Sequence, residues 1–204
     1  MLAFVLVVFV LFLIPGPAVL LTLTQSIKGG RKAGIITGVG IAVGDLIHTI
    51  AAVLGLSAIL MTSALAFELI KYLGAAYLIF LGISTFLEKS KMKDKPVEKK
   101  TTSAVSFRQA LLIELLNPKT ALFFLAFLPQ FVRHEGPPIV YQLLVLGLTF
   151  VLMSILYTTL LAFLDSSIGN RFFQKSGPVS RWQSKIVGTI YIGLGLQLVF
   201  QTQK

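Results

Sequence analysis

Four ionisable side chains stand inside otherwise apolar stretches of this chain: Asp45, His48, Glu114 and Lys119. Charge in such a setting is costly, so each is a candidate for ligand binding or proton traffic. Asp45 and His48 are three apart and share a helix face, from which they could hold a cationic substrate group, relay protons or supply two metal ligands. Two ligands do not close a metal site, and Glu114 is the group that could add a third. The plainer alternative is a polar pair satisfied by neighbouring helices. Glu114 precedes Asn117 by three residues and Lys119 by five. A carboxyl in that place responds both to protons and to a nearby ammonium, as a proton-coupled carrier requires, or it serves as a structural partner for Lys119.

Two interruptions accompany these groups. Pro15-Gly16-Pro17 lies within a first stretch of 27 residues that has no charged side chain, and Asn117-Pro118-Lys119 lies within the fourth apolar segment. Proline removes a backbone donor and clashes with the preceding turn, which frees polar groups that hydrocarbon cannot satisfy. New half-helices starting after Pro17 and Pro118 would offer free N–H groups and a positive dipole end to a carboxylate. An amino acid needs that, together with an acidic partner for its ammonium. Simple kinking for helix packing is the competing reading.

The elements that must position these residues are membrane spans. Apolar residues make up 55% of the chain and charged residues 13%, with mean hydropathy +0.87, whereas a soluble domain carries about 25% charged residues. Segments near 2–24, 34–61, 68–87, 108–132, 139–164 and 186–202 each approach the roughly 20 residues a spanning helix needs. The first has no basic region before it and runs too long for a cleaved signal peptide, so it is expected to be retained. The expected fold is therefore an all-α integral membrane protein of six transmembrane helices, with helices 1 and 4 broken.

Charge placement supports that number. Six spans put fourteen basic residues on one side, in three groups: Lys28 to Lys32, Lys89 to Arg108, and Arg171 to Lys185. The opposite side receives Lys71, Arg133 and Lys204. By the positive-inside rule the rich loops are cytoplasmic and both termini lie outside. The net charge of +10 is thus a topology signal and does not call for nucleic acid. Cysteine is absent, which excludes disulfide chemistry.

Residues 88–106 are the one long polar stretch and read as a flexible cytoplasmic linker between repeat one, 1–87, and repeat two, 107–204, of a single transporter domain. Lys71-x-x-Gly74-x-x-Tyr77 recurs as Lys185-x-x-Gly188-x-x-Tyr191, and the two breaks occupy comparable places. Three spans per half would invert the second half relative to the first, a recurrent plan among secondary transporters. Gly34, Gly38, Gly40 and Gly44 form small-xxx-small pairs suited to close helix contact. Residues 165–185 mix basic and aromatic side chains and suit an interfacial segment. No P-loop, nucleophile elbow or His-rich metal motif is present, so neither an enzyme nor a cofactor is expected.

Taken together, Ile14-Pro15-Gly16-Pro17, Gly29-Gly30-Arg31-Lys32-Ala33-Gly34, Gly44-Asp45 with His48, Lys71-Tyr72-Leu73-Gly74-Ala75-Ala76-Tyr77-Leu78, Leu116-Asn117-Pro118-Lys119 and Phe127-Leu128-Pro129-Gln130-Phe131 resemble the LysE/RhtB family of amino acid exporters. The resemblance spans residues 4–200. It implies efflux of amino acids or their derivatives across a bacterial or archaeal cytoplasmic membrane, driven by the proton motive force, by a small protein that acts as an oligomer, such as a dimer. It marks Pro15, Gly16, Pro17, Asp45, Asn117, Pro118 and Lys119 as motif positions. Ala18 and Glu114 depart from the family, which often has Asn at or near both places. More distant relatives move cations, so a divalent metal exporter built on Asp45, His48 and Glu114 is the alternative.

Overall fold

Proline decides where the first helix stops. In a computed structural model that describes residues 1–13, 16–62, 64–87, 103–133 and 135–163, with residues 185, 188–189, 192–193, 195–196 and 199–200, helix α1 runs Leu2–Leu13. The fourth residue after Leu11 and the fourth after Leu13 are both proline, so neither carbonyl finds its usual intrahelical donor. Helix α2, Pro17–Thr62, then starts with proline at its first turn, where the missing N–H costs nothing.

The loop expected between residues 24 and 34 is absent. α2 continues through it, and only Gly30 leaves helical geometry, at φ 74° and ψ −178°. That conformation is open to glycine and strained for other residues. The two arms fold back on one another about Gly30: Gly34 packs against Ser26, and Leu21 shares a cluster with Ile41.

Helix α3 covers Ala64–Leu87 and α4 Ser103–Leu115, so the last residues assigned to the linker are already helical. Residues 88–102 of that linker, and 165–184 of the expected interfacial segment, lie outside the described residues. α4 ends before Asn117, α5 spans Pro118–Ala126, and a 3-10 turn follows at Leu128–Phe131. The two parts of this broken rod are bent by 47°. Helix α6, Ile139–Phe163, falls where the fifth apolar segment predicted it.

Glycine spacing determines how these helices meet. A Cβ on Gly38 would lie 2.6 Å from Thr158 Oγ1 of α6, and one on Gly40 would lie 2.6 Å from the Phe107 carbonyl of α4. Gly34 and Gly38 thus admit α6, while Gly40 and Gly44 admit α4, as small residues do when helices pack without a hydrophobic drive. Near the other end of the chain, Gly82 of α3 lies against Gly188 and Ile192, and Gly195 lies against Ala75 and Ile79. The two segments carrying the repeated Lys-Gly-Tyr motif therefore run antiparallel in contact.

Burial is reversed relative to a soluble protein. Leu54 and Leu65 are 70% and 81% exposed, whereas Asp45 and Glu114 are 1% and 2% exposed. An apolar exterior around buried charge is what a lipid solvent selects. Among the described residues two helices are long and apolar enough to cross a membrane, or three if the bent pair of α4 and α5 counts as one span. The interior between the broken rods is aromatic: Phe124 meets Phe150 edge to face at 4.9 Å, Phe123 stacks on Phe127 at 5.5 Å, and Phe4 meets Phe131 at 5.1 Å. Each such pair adds about 0.5–1.5 kcal/mol beyond burial.

Candidate functional site

The two breaks face one another. α1 packs antiparallel to α5, with Phe4 near Phe123 and Leu11 near Lys119, and the first arm of α2 packs antiparallel to α4, with Leu21 near Ala110 and Gln25 near Ser106. Gly16 therefore lies beside the second break: a Cβ added there would sit 3.6 Å from Lys119 Cδ and Nζ. Pro15 lies outside the described residues.

Each break leaves a carbonyl without its helical donor, and each receives a donor from another element. Leu11 lost its partner to Pro15, and Lys119 Nζ donates to the Leu11 carbonyl at 2.8 Å. Glu114 lost its partner to Pro118, and its carbonyl accepts from Asn117 N and from His48 Nε2, both at 3.0 Å. A carbonyl only accepts, so His48 carries its proton on Nε2. The sequence has His48 acting together with Asp45 from one helix face; the structure places its ring on the end of α4 instead, against Phe124. Three residues leave the two side chains offset by about 60° around the helix, enough to give them different neighbours.

Asn117 organises the second break. Its Oδ1 caps α5 by accepting from Lys119 N at 3.1 Å, and Pro118 fills the first helical position. Its Nδ2 faces both Glu114 carboxylate oxygens at 3.3 Å and Thr120 Oγ1 at 3.1 Å. Glu114 is thus held by Asn117, while Gly44 lets α2 approach it so closely that a Cβ would come within 2.7 Å of Glu114 Cβ.

That approach brings Asp45 to Glu114. The two carboxyl groups are within hydrogen-bonding reach, and Asp45 also bonds Ser154 of α6. Asp45 Oδ2 is buried and has no hydrogen-bond partner. An unsatisfied buried carboxylate oxygen is expensive and calls for a functional account. Asp45 lines a cavity of about 40 Å³ shared with Glu114, Asn117, Lys119, Thr120 and Ser154. The remaining wall is apolar, formed by Leu11, Phe12, Val19, Ile41, Phe150 and Tyr157. Such a volume holds a water or two, so a larger ligand enters only when the helices part.

Ser154, Tyr157 and Thr158 of α6 were not singled out by the sequence reading, although Ser154 and Thr158 are hydroxyls one turn apart in an apolar helix. Among the described residues no three His, Cys, Asp or Glu side chains gather as a metal site.

A helical, multi-pass membrane protein with a polar cavity between two facing helix breaks is the class that fold and site define. Residues 9–202 match the family described as LysE type translocator, and the chain belongs to that family. It is accordingly a membrane translocator for a small molecule. It is 32% identical to an uncharacterized membrane protein of Bacillus subtilis, YrhP, over 97% of both chains. An uncharacterized membrane protein of Vibrio cholerae is 31% identical over 97% of this chain and 95% of its own. A leucine efflux protein of an Enterobacter species is 27% identical over 93% of this chain and 90% of its own. No solved structure matches.

Proposed function

We propose that the protein exports amino acids with neutral aliphatic side chains, taking the substrate zwitterion between the two breaks. One observation carries this reading: Asp45 Oδ2 is buried without a partner, on a residue that lines one cavity together with Lys119. A substrate ammonium supplies what Asp45 lacks. The substrate carboxylate is met by Lys119 and by the positive dipole ends at the starts of α2 and α5. The apolar wall of Leu11, Phe12, Ile41 and Phe150 suits an uncharged aliphatic side chain, in keeping with relatives named for leucine efflux.

The wider reading has six spans in two inverted halves, residues 1–87 and 107–204, with basic loops cytoplasmic and both termini outside. α1 with the first arm of α2 forms the broken first span, and α4 with α5 the broken fourth. Two carboxyl groups facing one another in a buried site need a cation between them, and a proton or a substrate ammonium both qualify. That exchange at Asp45 and Glu114 would couple export to the proton motive force. A homodimer is the assembly we expect, through the exposed apolar faces.

A metal exporter is less well supported, because His48 spends its Nε2 proton on a backbone carbonyl rather than facing Asp45 and Glu114. Counterflow in proteoliposomes against labelled leucine, other amino acids and divalent cations tests the proposal. Parental protein should exchange leucine, and Asp45→Asn should reduce exchange at least tenfold. Exchange of a divalent cation alone, or leucine exchange undiminished in Asp45→Asn, would sink it.

A further inference from the structure

The carbonyl that caps a broken helix's carboxyl end is a cation site, because it carries the negative end of the helix dipole and has lost its own donor. In this protein the Leu11 carbonyl is such a group, and Leu11 is one of the residues around the cavity that Asp45 and Glu114 also line. The cation found there belongs to the protein itself: Lys119, 108 positions further along, reaches across the second break and places Nζ 2.8 Å from Leu11 O. Its stem passes Gly16, where an added Cβ would make ordinary contact with Cδ and Nζ at 3.6 Å.

A lysine ammonium and the α-ammonium of an amino acid are the same chemical group. We infer that Lys119 is a tethered cation that holds the Leu11 carbonyl, beside the position Asp45 offers to an ammonium, while no substrate is present, and leaves Leu11 when a substrate ammonium enters. This rests on the amino acid reading above and adds a competition to it. Once displaced from Leu11, Lys119 meets the substrate carboxylate, so a ligand with both charges satisfies both groups while a simple amine does not. The lysine thereby selects zwitterions over amines. It also ties α1 to α5 in the empty state, so displacement loosens the contact between the two broken rods that must part to widen a 40 Å³ cavity.

The test uses ethylammonium, the lysine head group without its tether. Purified full-length protein, Lys119→Ala and Lys119→Arg are melted in detergent with ethylammonium chloride or equal sodium chloride. The inference expects Lys119→Ala to gain about 3 °C at tenfold excess over the dissociation constant, as a ligand binding only the folded state does. Parent and Lys119→Arg, whose own cations fill the subsite, should not respond. Equal responses in parent and Lys119→Ala, or none in Lys119→Ala, overturn it. Should Lys119→Ala fail to fold in ordinary buffer, purification in ethylammonium recovers it under this account and does not otherwise. The readout needs no transport, so absence of leucine counterflow by the parent would strike the amino acid reading alone.

Discussion

Replacing Gly44 by alanine tests how the two carboxyl groups are brought together. The new Cβ would stand 2.7 Å from Glu114 Cβ and 2.9 Å from Glu114 Cγ. Comfortable carbon contacts begin at about 3.5–4.0 Å, so α2 and α4 must part locally by about 1 Å. Overpacking of this kind costs about 1–3 kcal/mol, which for a chain of this size lowers the melting temperature by about 2–12 °C. The same displacement stretches the contacts that cross from α2, His48 Nε2 to the Glu114 carbonyl at 3.0 Å and Asp45 to the Glu114 carboxyl. Gly55→Ala on the same helix is the control, since its Cβ would meet no described atom within 4 Å. There alanine should stabilise the helix by about 0.5–1 kcal/mol. Melting in detergent and leucine counterflow are measured on both variants, with a roughly tenfold loss of counterflow expected for Gly44→Ala alone. Equal stability and equal counterflow in the two variants would refute the packing argument.

Asn117→Ala removes both the α5 cap and the donor to Glu114, and should lower stability by about 0.5–2 kcal/mol by denaturation in detergent. Asn117→Asp keeps the capping oxygen but sets a carboxylate against Glu114, so it should hold stability better than alanine while exporting less. His48→Gln retains an N–H for the Glu114 carbonyl and should keep leucine counterflow within about threefold of parental, whereas His48→Phe leaves that carbonyl with Asn117 N alone, at a cost of about 1–3 kcal/mol. Identical behaviour of the glutamine and phenylalanine variants would show that the hydrogen bond is not what matters.

Where the helices break was legible, because proline acts through its own covalent structure: α2 begins at Pro17 and α5 at Pro118, as the sequence requires. The glycines of α2 were legible as packing positions for a similar local reason. What they pack against was not, since Gly38 on Thr158 and Gly44 on Glu114 are contacts between distant segments. The Gly30 corner was read as a loop because Lys28, Arg31 and Lys32 look like a surface turn, and a single glycine at positive φ reverses a helix without any polar loop. His48 shares a face with Asp45 in sequence, yet the carbonyl freed by Pro118 is the stronger claim on its proton. Pairing of Lys119 with Glu114 is one of two readings the sequence offers, and the lysine's bond to Leu11 depends on the opposite break being alongside, which helical periodicity does not encode. Ser154 and Thr158 gave too faint a signal, as hydroxyls one turn apart in a helix that also carries Thr149 and Thr159 read as ordinary i−4 bonding.

The most direct measurement of the central claim is binding of leucine, of isopentylamine and of 4-methylpentanoate to purified parent and Asp45→Asn. The amine lacks the carboxylate and the acid lacks the ammonium. If facing breaks bind a zwitterion with its ammonium on Asp45, the parent should prefer leucine to either analogue by at least tenfold. Asp45→Asn should then lose most of its preference for leucine over 4-methylpentanoate while keeping its preference over isopentylamine. Retention of both preferences in Asp45→Asn would contradict the account, because the ammonium would then be recognised elsewhere.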